Sequence, residues 1–115
     1  MKNKLPPITE TAKKIPLGII PHTGEAIYYS EVEKGEKKLS LPDKLNTDQQ
    51  ITLSMKRYLA NEPGIIATLN GQSLTNEMAA AEIKKQSVIG RQLLKMDINY
   101  LEYYLSKFPE NCFEK

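Results

Sequence analysis

The chain has 115 residues, of which 40% are apolar and 26% charged, and its formal net charge is +2. This length suits one domain, and the charge neither requires nor excludes a nucleic-acid partner. The one cysteine, Cys112, excludes an intramolecular disulfide, and no apolar run reaches the roughly 20 residues of a membrane span. The basic N-terminus lacks the apolar stretch of a signal peptide, so we expect a cytoplasmic protein with no membrane contact.

The two ends of the chain differ from its middle. Residues 1–16 are rich in proline and lysine, and proline removes backbone donors and disfavours helix in the residue before it. We therefore predict an extended or disordered N-terminal arm over residues 1–16 and a single domain over residues 17–108. Residues 109–115 follow a helix-ending proline and form a C-terminal tail, which either frays or returns Phe113 to the core.

The segment from residue 17 to residue 41 is predicted to form β structure. Its β-branched and aromatic residues favour strands over residues 26–33 and 37–41. These strands would pair as a hairpin, with Gly35 in the connecting turn. Before them, "PHTG" has the residues of a turn, because proline presets the backbone and glycine relaxes it.

A helix is predicted to begin near Thr47. Thr47 and Gln50 have the spacing of a capping box, in which each side chain bonds the backbone of the other. Four side chains at helical spacing would share its apolar face: Ile51, Met55, Tyr58 and Leu59. "NEPG" ends this helix, and residues 65–74 then fit either a short strand with a turn or one helical turn.

The last third of the chain predicts two helices. The first begins after Thr75, and the periodic pattern continues to Phe108. One continuous helix over this span would be about 50 Å long, so we expect a break or sharp bend at residues 87–90, where Ser87 can cap a new helix. The fold class is a small single α+β domain, with an N-terminal β-hairpin packed on about three α-helices, the last one long and amphipathic.

Catalytic and metal-binding chemistry finds little support in the sequence. His22 could act as a general base with Glu25 orienting its ring, but no nucleophile or motif accompanies it. One histidine and one cysteine cannot supply a structural zinc site, and the glycine pattern of a phosphate-binding loop is absent. We therefore predict no catalytic residue, no metal and no cofactor, and an enzyme using His22 is the least favoured alternative.

The tyrosines suggest an interface. Tyrosine offers a large apolar body with a polar tip, so such rings either seal the edge of a core or contact a partner. The apolar seam of the last helix is also close to a heptad repeat, which suits antiparallel packing or a homodimer. We predict a non-enzymatic protein that acts by self-association or by binding a protein partner. The candidate interface residues are Tyr28, Tyr29, Tyr100, Tyr103 and Tyr104.

A basic cluster gives the alternative function. Lys84, Lys85, Arg91 and Lys95 occur with no acidic residue between them. In a continuous helix, three of the four would form a positive stripe able to contact nucleic-acid phosphates. The competing interpretation is an ordinary solvated helix face, and we do not favour nucleic acid as the partner.

Overall fold

The computed structural model describes residues 5–61, 65–69 and 72–114, and within them it has the predicted α+β class. Short 3-10 helices cover Ala12–Lys14, Pro42–Lys44 and Glu110–Cys112. Among the described residues, four strands pair in two antiparallel sheets, β1 with β2 and β3 with β4. The strands and α-helices, in chain order, are β1 (Gly18–Ile19), β2 (Ala26–Ile27), α1 (Tyr29–Glu33), α2 (Thr47–Ala60), β3 (Ile65–Leu69), β4 (Gln72–Thr75), α3 (Asn76–Lys85) and α4 (Val88–Leu105).

The N-terminal hairpin joins β1 to β2 through the predicted "PHTG" turn. Gly18 lies opposite Ile27 and Ile19 opposite Ala26. The N–H of Gly24 donates to the carbonyl oxygen of Ile20 at 2.8 Å. Gly24 has a φ of 74°, a left-handed conformation in which side chains are strained, so the turn needs its glycine.

The predicted hairpin of residues 26–33 with residues 37–41 is wrong. After β2 the chain turns into helix α1, because the Glu31 carboxylate accepts the N–H of Tyr28 at 3.0 Å and so closes the first turn. Gly35, with a φ of 76°, ends this helix and does not connect two strands. Leu39 instead forms an isolated parallel bridge with Phe113.

Helix α2 begins where it was predicted, but its cap lies one residue earlier. The N–H of Gln49 donates to Asn46 Oδ1 at 2.8 Å, and the N–H of Asn46 donates to Gln49 Oε1 at 2.9 Å. Asparagine is among the strongest N-cap residues, which accounts for its use ahead of Thr47. The prediction that Leu59 belongs to the buried apolar face of this helix is wrong, because its side chain is exposed.

Residues 65–69 and 72–75 form an antiparallel pair, with Thr68 opposite Ser73 and Leu69 opposite Gln72. The strand alternative for residues 65–69 is therefore confirmed. The proposed turn at residues 70–71 lies outside the described residues.

Helices α3 and α4 are separated by a break, which confirms the prediction of a break or sharp bend at residues 87–90. Gln86 adopts a left-handed φ of 55°, which ends α3. Ser87 Oγ accepts the N–H of Gly90 at 3.0 Å and donates to the Glu82 carboxylate at 2.6 Å. One serine therefore caps the new helix and holds it to the last turn of the old one.

In the part of the chain that the structure describes, two groups of buried side chains form the core, and α4 contributes to both. The first core cluster consists of Leu17, Ile19, Ile27, Tyr29, Val32, Leu39, Leu45, Leu53, Leu101, Leu105, Phe108 and Cys112. The second core cluster consists of Leu74, Ala79, Ile83, Leu93, Leu94 and Ile98. The first half of α4 thus packs with α3, and its second half packs with the N-terminal part of the chain.

Both terminal segments lie against this core. Leu5 and Ile8 pack on the first core cluster, and Tyr29 Oη donates to the carbonyl oxygen of Pro6 at 2.8 Å. At the other end, the N–H of Leu39 donates to the Cys112 carbonyl oxygen at 2.7 Å, and Phe113 packs on the same cluster. Of the two alternatives for the tail, the structure has the one that returns Phe113 to the core. The boundaries at residues 16 and 109 stay predictions.

Candidate interaction surface

Helix α4 carries a row of large side chains on the face that points away from the core. Met96, Tyr100 and Tyr103 are spaced by four and three residues, so they follow one another along the helix. Their exposed fractions are 56%, 60% and 64%. We call these three residues the outer stripe. The opposite face of the helix is buried through Leu94, Ile98 and Leu105, which fixes the direction in which the stripe points.

The tyrosine rings of this region contact one another and the core. Tyr100 stacks on Tyr104 with ring centroids 6.4 Å apart and planes 2° from parallel. Tyr104 in turn meets Phe108 edge to face, at a centroid distance of 5.3 Å. The ammonium of Lys107 lies 4.6 Å from the centroid of the Tyr103 ring. These contacts limit the freedom of both exposed rings.

A shallow apolar groove adjoins the outer stripe. Its volume is about 320 Å³, and Tyr100 belongs to both the groove and the stripe. The N-terminal segment forms the other wall through Pro7, Ile8 and Ile15. Tyr104 also lines it, and within the described residues its buried hydroxyl has no hydrogen-bond partner. Burial raises the pKa of Tyr104, and the neighbouring Tyr29 and Tyr100 add to this shift.

A buried polar network fixes the position of α4 beneath this surface. Arg57 Nε donates to both carboxylate oxygens of Asp97, at 3.0 and 3.1 Å, and Ser54 Oγ donates to the same carboxylate at 2.9 Å. Arg57 Nη1 donates to the carbonyl oxygen of Pro16 at 2.8 Å. Burial, and then the charge of Asp97, raise the pKa of Tyr58 to about 12. The network joins α2, α4 and the N-terminal segment, and it presents no open reactive group.

Sequence reasoning missed this network. Its one local signal is Asp97, an acidic residue between Met96 and Ile98 at the edge of an otherwise apolar seam. Such a position indicates a cationic partner, because a carboxylate at the edge of a core is costly unless it is paired. The partner, Arg57, lies 40 residues earlier in the chain, too far for any spacing rule to identify it.

The five candidate interface tyrosines do not form one surface. Tyr28 and Tyr29 lie at the start of α1 and not on a strand, so that part of the prediction is wrong. Tyr29 is only 4% exposed, and its ring packs edge to face on Phe108. Tyr28 and Tyr104 are half-buried. Among the five, Tyr100 and Tyr103 are the two that the fold leaves exposed.

His22 lies exposed in the turn between β1 and β2. Among the described residues, no hydrogen bond or ion pair joins its ring to Glu25. The Glu25 carboxylate instead lies 3.6 Å from Lys37 Nζ, and that ammonium is 2.8 Å from the Glu31 carboxylate. An enzyme using His22 was the least favoured alternative, and it stays untested by the fold, in which Glu25 pairs with Lys37 and does not orient the ring.

The basic cluster is divided by the break between the helices. Lys84 and Lys85 lie on α3, whereas Arg91 and Lys95 lie on α4, so the continuous helix that a positive stripe required is not present. Lys85 Nζ pairs with Glu82 at 3.3 Å, and Arg91 Nη1 donates to the Gln86 carbonyl oxygen at 2.8 Å. Two of the four cations therefore have contacts within the chain.

Comparisons with known proteins give no match: no protein family, curated protein or solved structure is significantly similar to this chain. Within the part of the chain that the structure describes, no helix is both long and apolar enough to cross a membrane. The same residues contain no group of three or more histidine, cysteine or acidic side chains placed to hold a metal ion.

Proposed function

We propose that this chain is a non-enzymatic protein-binding domain and that the outer stripe is its contact surface. The observation that carries the proposal is the unbroken exposure of Met96, Tyr100 and Tyr103 on one face of a helix whose other face is buried. We expect the association to occur in the cytoplasm, because a single cysteine cannot supply the disulfides on which small secreted domains depend.

The composition of the stripe supports binding to protein. A single exposed apolar side chain needs no explanation, but a contiguous row of large ones is typical of interaction sites. Tyrosine and methionine are enriched at protein interfaces, where lysine and glutamate are depleted. Methionine also adapts its shape to a partner, because its side chain is unbranched and polarizable.

The rigidity of the stripe supports the same proposal. A side chain that loses rotamer freedom on binding costs about 0.5–1.5 kcal/mol. Tyr100 is already stacked on Tyr104, and Tyr103 already lies under Lys107. Part of this cost is therefore met in the free protein, which favours association through these rings.

The alternative functions have weaker physical support. Nucleic-acid binding would use Lys84 and Lys95, the two cations of the cluster without an ion pair or side-chain hydrogen bond within the described residues, and two charges give little phosphate affinity. An enzyme would need a partner to activate His22, and Glu25 is paired with Lys37.

Site-specific photo-crosslinking tests the proposal. A photoreactive amino acid replaces Met96 in one variant and Met78 in another, since both are exposed methionines on helices, at 56% and 48%. Each purified variant is irradiated alone and in an extract of its source cells. We expect protein adducts of defined mass at Met96 and not at Met78. No adduct at either position, or equal yields at both, would contradict the proposal.

A further inference from the structure

We infer that the outer stripe binds a second copy of this chain, with the two α4 helices antiparallel about a two-fold axis near Asn99. This inference rests on the proposed function, because it names the partner of the same surface. It is carried by the arrangement of apolar and charged residues on α4, which complements itself when the helix is reversed.

The apolar residues match under this symmetry. A two-fold contact uses the same patch on both copies, so the patch must be complementary to itself. Met96 and Tyr103 lie on either side of Asn99 at nearly equal distances along the helix. Reversing the helix therefore places Met96 of each copy beside Tyr103 of the other, which gives two equivalent contacts. Asn99 then lies close to its own counterpart, where one amide can donate to the other.

The charged residues beside the stripe give the second, independent argument. Lys95 and Glu102 are seven residues apart, so they occupy the same side of α4 two turns from each other. Within the described residues, neither takes part in an ion pair. In the antiparallel pair, this side of α4 lies next to the same side of the second helix, which runs in the opposite direction. Lys95 of each copy therefore lies beside Glu102 of the other copy.

A parallel pair does not produce these contacts. Residues of the same number then lie at the same level, so Lys95 and Glu102 of different copies are separated by about 10 Å along the axis. Two unpaired opposite charges on one side of an apolar row therefore favour the antiparallel arrangement.

The size of the stripe determines the strength of the dimer. A large side chain buries about 150–250 Å², so three side chains exposed by just over half offer on the order of 400 Å² per copy. Stable complexes bury about 800 Å² per partner. We therefore expect a reversible dimer with micromolar or weaker affinity, seen only at high protein concentration.

Sedimentation equilibrium over micromolar to millimolar concentrations tests the dimer. We expect the dissociation constant to rise at least tenfold in Met96→Glu, which places two like charges within the stripe. The matched control is Met78→Glu, an equally drastic change at an exposed methionine outside it, which should alter the constant less than twofold. Far-UV circular dichroism and the unfolding midpoint of each variant show that the fold is retained.

Charge exchange tests the antiparallel pairing. Lys95→Glu gives a copy that is negative at both positions, and Glu102→Lys gives a copy that is positive at both. Each variant alone should dimerise about fivefold more weakly than the wild type. A mixture of the two should form the mixed dimer in preference to either homodimer, because both contacts are again between opposite charges. The double variant in one chain should return to within about twofold of the wild type.

The possible results separate the inference from the proposed function. A chain that remains monomeric throughout, or dimerises with no response to Met96→Glu and to the charge exchanges, overturns the inference. If the Met96 crosslinker then still captures a different protein, the proposed function stands and only the partner was wrong. If it captures nothing, both fail.

Discussion

Asp97 joins α4 to α2 through buried polar contacts. Its carboxylate accepts hydrogen bonds from Ser54 and Arg57, and the Arg57 and Asp97 side chains are each only 11% exposed. Removing two charged groups from water is costly, and only their mutual attraction and hydrogen bonds offset that cost. The pair is therefore stabilising as a unit, and the loss of one member is worse than the loss of both.

We predict that Asp97→Ala lowers the free energy of unfolding by about 3–5 kcal/mol, because Arg57 is left buried without its counter-ion. Urea denaturation measures the change. The double variant Arg57→Met/Asp97→Leu is the control, and it should lose less than Asp97→Ala although it changes two residues. Losses that simply add in the double variant would show that the two side chains do not stabilise the fold as a pair.

The Glu31 carboxylate makes the stability of the protein depend on pH. The hydrogen bond from Lys37 holds the pKa of Glu31 below its ordinary value of 4.5, and the backbone hydrogen bond from Tyr28 lowers it further. A carboxyl with a lowered folded-state pKa stabilises the protein above its unfolded-state pKa, and this contribution disappears as the pH falls through the folded-state pKa.

We therefore predict that Glu31→Gln is less stable than the wild type at neutral pH and that the difference shrinks below pH 4.5. Denaturation at a series of pH values measures both curves. Curves that stay parallel from neutral to acidic pH would contradict this origin of the stability.

At the scale of the element, the junction between α3 and α4 depends on close contact at Gly90. A Cβ atom there would collide with the carbonyl group of Glu82 and lie 2.9 Å from the nitrogen of Ile83. Both neighbours are backbone atoms of α3, so neither can turn aside as a side chain would. The start of α4 can therefore lie against α3 only because residue 90 has no side chain.

We predict that Gly90→Ala destabilises the protein by about 2–3 kcal/mol, because the two helices must separate to admit the methyl group. Helix propensity alone predicts the opposite sign, a gain of about 1 kcal/mol. Gln92→Ala is the control on the same helix, where the side chain is exposed, and it should change stability by less than about 0.5 kcal/mol. A stabilised Gly90→Ala variant would contradict the close contact.

The elements that could be predicted from the sequence are those set by local signals. Thr75 and Ser87 were identified as helix starts, because an N-cap side chain bonds the backbone two or three residues ahead of it. Residues 28–33 were misassigned as strand because β-branched and aromatic residues fit strands in general. The helix there depends on Glu31 closing the first turn and on Tyr29 packing against Phe108, and the second contact is invisible in a local window.

The candidate surface was predictable to the same limited extent. The heptad-like seam of the last helix predicted antiparallel packing or a homodimer, and Tyr100 and Tyr103 were named among the interface residues. The pattern could not separate them from Tyr29, which the N-terminal segment and Phe108 bury. Which ring remains exposed depends on segments distant in the chain, and residue spacing carries no information about those.

At the scale of the whole molecule, the two core clusters share one helix. Leu93 lies fully buried in the second core cluster and Leu101 in the first, about two turns apart on α4. If either cluster is lost, α4 loses half of its buried face. The clusters therefore stabilise each other through the helix, and the domain should unfold in one step.

We predict that Leu93→Ala and Leu101→Ala each lower the free energy of unfolding by about 2–5 kcal/mol and leave a single transition. Far-UV circular dichroism and tyrosine fluorescence should report the same midpoint for each variant. Two transitions, with each variant shifting only one of them, would show that the clusters unfold independently.

The anchoring of α4 in both clusters also has a kinetic consequence for its exposed face. No part of the helix has to form or reorient when a partner arrives, so association is a collision between bodies that already have their bound shapes. Such encounters proceed at about 10⁵–10⁷ M⁻¹s⁻¹, limited by orientation and not by folding. With a contact area this small, dissociation is fast as well. A helix fixed at both ends therefore favours brief, repeated contacts whose extent follows the local protein concentration.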